Sequence, residues 1–181
     1  MLPSPSSAFA PGKKLRVAQV GLGSMGLNDL KDIASHPAVE IVALCDVDAN
    51  ALNTVKTKYA NAKTFSDYRE MFKSIGGEID AVVVSTPDHA HAPVALKAME
   101  MNKNVYCQKP LTHYISESRK MDAVAAQKKL VTQMGIQVHS FYDYKLATIL
   151  IQKGIIGKVK KVIAWSPKVW SAMTTLSLTV H

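Results

Sequence analysis

Acidic residues are scarce in the second half of this 181-residue sequence: residues 101 to 181 carry 3 Asp and Glu against 12 Lys and Arg, whereas residues 1 to 100 carry 11 against 10. The net charge of +8 therefore arises after residue 100. Such a skew can mark nucleic-acid binding, but these lysines are scattered through helical patterns and interleaved with apolar residues. They read as a solvated face or a surface for an anionic small molecule, so no nucleic-acid partner is expected. Cysteine is nearly absent. Cys45 and Cys107 each end an apolar run and form no CxxC pair, which excludes a disulfide scaffold and fits reduced, buried thiols in a cytoplasmic protein. No metal-ligand cluster stands out. Apolar runs long enough to span a bilayer are also missing, so no membrane association is expected. The N-terminal MLPSPSSAFAPGKK has neither an apolar h-region nor twin arginines and reads as a flexible tail over residues 1–14; a trimmed export leader is the alternative left open.

What is present is a globular composition, 48% hydrophobic and 20% charged, in a length that holds one full domain but not two average ones. Strand-like and helix-like segments alternate. LRVAQVG (15–21) leads into glycines and a helix with Leu27, Leu30 and Ala34 at helical spacing. EIVALCD (40–46) precedes a helix over 49–59, a brief strand at 63–65 and a helix opened by Ser66-Asp67 and running to Phe72. IDAVVVS (79–85), a helix over 92–101, NVYC (104–107), a helix over 115–128 and LVTQM (130–134) follow. Several strands are apolar on both faces, which predicts an α/β fold, a doubly wound parallel sheet covered by helices on both sides. In the usual strand order, 3-2-1-4-5-6, the strands bearing the two cysteines are separated by two others, placing the thiols on the order of 14 Å apart. After Gly135 the pattern changes to an amphipathic helix over 139–153, carrying Tyr142, Leu146, Ile149 and Leu150, and a basic strand over 158–165. Residues 171–181 have no clear period, and no internal repeat is present.

The residues that carry chemistry lie at the predicted strand ends. Gly21-Leu22-Gly23-Ser24-Met25-Gly26 follows a strand and opens a helix, the setting in which a GxGxxG turn cradles a pyrophosphate. Gly21 gives the tight turn, Gly23 the close backbone approach and Gly26 the helix–strand contact, with Ser24 and Met25 at the helix N-terminus. Asp46 ends the second strand 20 residues past Gly26. Its carboxylate suits the adenosine ribose hydroxyls and would repel a 2'-phosphate, favouring NAD over NADP; capping of the next turn is its bland alternative. Ser85-Thr86-Pro87 ends the fourth strand, where a parallel sheet opens its ligand crevice. Of the two histidines that follow, His89 reads as a surface or capping residue and His91 has the better claim to face the cofactor. Gln108 and Lys109 end the fifth strand before Pro110. A lysine there points into the same crevice and could exchange a proton with a substrate hydroxyl or carbonyl.

The ordered series GLGSMG, CDVD, STPDHAH, CQKPLTHYISESRKM, TQMGIQVHS and QKGIIGKVKKV, over about residues 15 to 170, resembles the Gfo/Idh/MocA oxidoreductases. The resemblance implies a Rossmann NAD(P)-binding domain over 15–134, and in 135–181 the truncated beginning of an α/β open-sheet domain for substrate and oligomer contacts. It implies hydride transfer between nicotinamide and a sugar, cyclitol or related polyol, with homo-oligomers in full-length members. By the same resemblance Lys109 is the catalytic lysine of a Glu-Lys-Pro motif, and Gly21, Gly23, Gly26, Asp46, Thr86 and His91 match cofactor contacts. Gln108 departs from the usual glutamate. It can still reach a ribose hydroxyl but changes the electrostatic setting of Lys109. The length implies that this chain binds the nucleotide with little or no turnover. A non-catalytic NAD(H)-binding regulatory module is the competing reading.

Overall fold

The computed structural model describes residues 12–163. Within them six parallel strands form one sheet in the order β3-β2-β1-β4-β5-β6. The strands are β1 (Leu15–Val20), β2 (Val39–Cys45), β3 (Lys63–Phe65), β4 (Ala81–Val84), β5 (Asn104–Gln108) and β6 (Thr132–Gly135). Helices α1 (Ser24–Ala34), α2 (Ala49–Lys56), α3 (Tyr68–Ile75), α4 (Asp88–Glu100) and α5 (Ile115–Lys128) connect them. This is the doubly wound arrangement expected from the alternating pattern, with the order of strand addition reversing between β1 and β4.

Alternation along the strands feeds two cores. Val20, Ala43, Cys45, Val82, Val84, Val105 and Cys107 face Met71, Phe72, Ala95, Met99 and Met121 of α3, α4 and α5. Val17, Ile41, Leu44 and Val83 face Leu30 of α1 and Val55 of α2. Both faces of the sheet are thus buried, which is why the strands read as continuous apolar runs. Cys45 and Cys107 are buried and free. Burial pushes both thiols up to about 12, helped at Cys45 by the charges of Asp46 and Asp67.

Several boundaries differ from the sequence reading. Helix α4 begins at Asp88 rather than residue 92, because Pro87 (φ −58°) sets the entry and Asp88 complements the helix N-terminus. The two histidines therefore lie in its first turns and not on a loop. Helix α2 ends at Lys56, before the expected 59, and α3 continues to Ile75 so that the side chain there joins the core.

The chain divides between Ile136 and Gln137. In the second unit a 3-10 turn (Gln137–Ser140) precedes α6 (Tyr142–Gln152), after which Gly154 adopts φ +76°. Tyr142, Leu146, Ile149 and Leu150 are on α6 as expected, and none of its residues is buried. The strand expected at 158–165 is not formed over 158–163, since no described segment pairs with it and a lone strand has no ladder to stabilise it. Its residues 164 and 165, like residues 1–11 and 171–181, lie outside the described residues.

Candidate functional site

The crevice is built where β1, β2 and β4 end. Gly21 leaves β1 with φ +91°, and its N–H donates to the Cys45 carbonyl at 2.9 Å. A Cβ at Gly21 would overlap the Ser85 carbonyl oxygen, and one at Gly26 would overlap the Gly21 carbonyl oxygen. These approaches hold α1 directly against the ends of β1 and β4. Gly23 is different: it is exposed and a Cβ there would meet nothing within 4 Å. It opens onto the crevice immediately before the α1 N-terminus at Ser24 and Met25, the positive end of the helix dipole.

Asp46 follows β2 and is held from two sides. Its Oδ2 accepts the Leu22 N–H at 2.6 Å and its Oδ1 accepts the Asp48 N–H at 2.9 Å. The turn-forming role is thus formed in the structure, and Asp46 also lines the cavity of this crevice. Each oxygen accepts one bond, and a carboxylate oxygen can accept a second.

Beyond β4, the Ser85 hydroxyl donates to Asp29 at 2.6 Å, and the buried Thr86 hydroxyl has no partner. His89 is exposed. His91 is buried with both ring nitrogens against carbonyls, Nδ1 2.5 Å from that of Pro110 and Nε2 2.8 Å from that of Thr86. It thus ties the ends of β4 and β5 together. Gln108 is buried at the end of β5, where its Nε2 donates to both carboxylate oxygens of Asp29 at 3.0 Å. Its Oε1 accepts the Lys109 N–H at 3.2 Å. The amide expected to meet a ribose is turned toward α1. Lys109 itself is exposed at the sheet's C-terminal edge.

One cavity of about 560 Å³ gathers Gly21, Gly23, Ser24, Met25, Asp46, Ser85, Thr86 and Pro87, with His89 at its wall. Gly26, His91, Gln108 and Lys109 are outside that lining: Gly26 and His91 support the wall from behind, and the other two lie at the neighbouring strand end. The lining suits a dinucleotide on structural grounds. The open face at Gly23 lets a phosphate approach, the Asp46 carboxylate offers acceptors, and Thr86 provides an orphaned buried hydroxyl. Among the described residues no group of three or more His, Cys, Asp or Glu is placed to hold a metal ion.

Two groups escape the sequence reading. Asp67 and Arg69 line the same cavity as Asp46, paired through contacts of 2.9–3.2 Å between guanidinium and carboxylate. That pairing holds the Asp67 carboxyl below its ordinary value. The sequence marks Asp67 only as a helix cap, which it also is, its Oδ1 accepting the Arg69 N–H at 2.8 Å. Their place in the crevice comes from β2–β3 pairing, and no local motif signals it. Asp29 is the other. Its one clue is a charge one turn past Gly26, on the helix side that must face the sheet.

Comparison with known proteins gives concordant matches. Residues 15–136 match the Gfo/Idh/MocA family described as an oxidoreductase family with an NAD-binding Rossmann fold. The chain is 31% identical over 147 residues to an inositol 2-dehydrogenase of Salmonella paratyphi B, covering 80% of this chain and 43% of that protein. It is 29% identical over 165 residues to a glycosyl hydrolase family 109 protein of Stenotrophomonas maltophilia, covering 84% and 36%. A scyllo-inositol dehydrogenase from Lactobacillus casei, solved with NAD(H) and scyllo-inositol, superposes with a TM-score of 0.72 at 26% identity, covering 80% and 43%. The chain spans less than half the length of these relatives.

Proposed function

The chain belongs to the Gfo/Idh/MocA oxidoreductases, and on that footing we propose that it binds NAD(H) for the interconversion of a ring carbinol and its carbonyl in a cyclitol, sugar or related polyol. The observation that carries the reading is the single cavity uniting the open Gly23 face, the Asp46 carboxylate and the unpartnered Thr86 hydroxyl. NAD, when bound, supplies the hydride acceptor. The remaining work falls to the chain's own side chains. The α1 N-terminus at Ser24 and Met25 faces the pyrophosphate, Asp46 accepts from the adenosine ribose hydroxyls through its free lone pairs, and the Thr86 hydroxyl donates into the crevice. Lys109 exchanges the proton at the substrate oxygen. The Asp46 charge opposes a 2'-phosphate, and Arg69, the cation in the same cavity, is already engaged by Asp67. Both features support NAD over NADP.

The substrate class rests on the relatives, two of which are named for inositols and one for glycosides. Because the matched part is under half of their length, binding is the activity assigned to the 181-residue chain itself, with turnover weak or absent and homo-oligomers expected of longer members. Calorimetric titration tests the first step. NADH is expected to bind saturably at one site per chain, with NADPH weaker by roughly tenfold or more; no saturable binding of either overturns the reading. The neutral Gln108 is also compatible with one competing role, a regulatory NAD(H)-binding module. The two part on whether the chain extended by its natural downstream sequence reduces NAD with myo-inositol, and whether Lys109→Ala abolishes that reaction.

A further inference from the structure

The side of the sheet beneath α1 carries a polar chain within an otherwise apolar face. Buried Gln19 donates through Nε2 to the Gly21 carbonyl at 3.0 Å and to Ser85 Oγ at 3.1 Å. The Ser85 hydroxyl in turn donates to Asp29 at 2.6 Å, and Asp29 accepts from the Gln108 amide on both oxygens. Gln108 is packed closely against the neighbouring strand. A Cβ at Gly135 of the neighbouring strand would lie 2.9 Å from both its Cδ and its Nε2. The amide is therefore held between α1 and β6, with its carbonyl oxygen returned to the Lys109 N–H.

A glutamate in place of Gln108 would put a second carboxylate about 3 Å from the first, where two like charges cannot both be accommodated. The remaining groups facing Asp29 offer no compensating cation among the described contacts: Tyr106 of β5, whose hydroxyl is pushed up mainly by burial and further by the charges of Asp29 and Asp32, is neutral. With both Asp29 oxygens accepting, the group that meets them from position 108 has to be a donor, and the amide supplies it.

We propose that Asp29 is a positioning residue: it carries the fixed negative charge of the β5 end, selects an amide at position 108, and through that amide sets the main chain from which Lys109 projects. Gln108 is then one half of a matched pair and not an impairment of the site. The inference rests on the cofactor-binding reading only for its ligand readout. By the division of the doubly wound sheet into two mononucleotide halves, the β4-β5-β6 half receives the nicotinamide end. Asp29 should therefore matter to NADH and hardly to ADP, which lacks that end.

The test uses the 181-residue chain with Gln108→Glu, Asp29→Asn and both together. Gln108→Glu is expected to lower the thermal midpoint by about 5 °C or more at pH 8, with most of the loss recovered at pH 5 as the pair takes up a proton. NADH affinity should fall roughly tenfold at pH 8 while ADP affinity changes by less than about twofold. The double variant restores an amide–carboxylate pair with the donor moved to α1 and the acceptor to β5, and it is expected to recover most of both losses and to lose the pH dependence. It decides the matter even if Gln108→Glu alone does not fold. A double variant no better than Gln108→Glu, a loss that does not vary with pH, or equal weakening of NADH and ADP overturns the proposal. If the parent chain binds neither ligand, the cofactor reading fails, and the pH dependence of the midpoints still tests the pair.

Discussion

The Asp46 carboxylate accepts the Leu22 main-chain N–H at 2.6 Å, joining the end of β2 to the middle of the glycine turn. The residue proposed to grip the adenosine ribose thus also holds the loop proposed to grip the pyrophosphate. Asp46→Ala is expected to weaken NADH binding about 10- to 100-fold, the loss of hydrogen bonds to a charged group. Asp46→Asn keeps one acceptor and should fall between the two. Fluorescence titration of NADH measures both.

Gly23 and Gly26 should respond oppositely to the same methyl group. Gly26→Ala drives a Cβ into a main-chain oxygen, so the helix must move and the thermal midpoint should fall sharply. Gly23→Ala meets no protein atom within 4 Å, so the midpoint should hold while NADH binding is lost. Parallel melting and titration of the two variants separate folding from phosphate access.

Arg16 and Asp80 clasp the entry of β1 to that of β4, with guanidinium contacts of 2.7 and 3.0 Å and the Arg16 N–H also donating to the carboxylate. The Arg16 hydrogen bond holds the Asp80 carboxyl below its ordinary value of 3.8. The stability it contributes is therefore fully present above that value and is lost as pH falls through the lower folded one. Asp80→Asn should reduce the melting midpoint by a few degrees at pH 7, and the difference from the parent should shrink below pH 4.

Phe72 fills the core between α3 and the sheet at 2% exposure. Its replacement by Ala should cost about 3–5 kcal/mol in urea unfolding, with NADH affinity retained where the variant is folded.

Both thiols are buried and pushed up to about 12. A thiol-disulfide reagent at pH 8 is expected to react slowly with the native chain and to titrate two thiols in denaturant.

The alternation of apolar strands and helical spacings makes a parallel sheet covered on both sides readable along the chain, because each strand buries two faces and each helix one; the strand order follows from the usual one of that fold and is written in no local pattern. GxGxxG and Asp46 are readable for the same reason, since a strand end followed by a turn is a local pattern. His91 is harder. Its ring lies behind the crevice because α4 starts four residues early, a choice made by Pro87 and invisible in helical periodicity. Arg69 and Asp29 depend on which strands and helices become neighbours, and no spacing along the chain records that. Residues 158–163 carry a strand-like pattern without forming a strand, since β propensity names a candidate but not a partner for it.

The segment Gln108-Lys109-Pro110 is fastened on one flank by Asp29 and on the other by His91, yet the lysine between them is exposed. In mechanical terms it is a jointed arm on a bolted pivot. The domain fixes where the arm is mounted and leaves its side-chain torsions unspent, so the ammonium group can take several bearings without strain in the sheet. Under the proposed function, the same mount would serve hydroxyls at different positions around a ring without any change to the sheet beneath it.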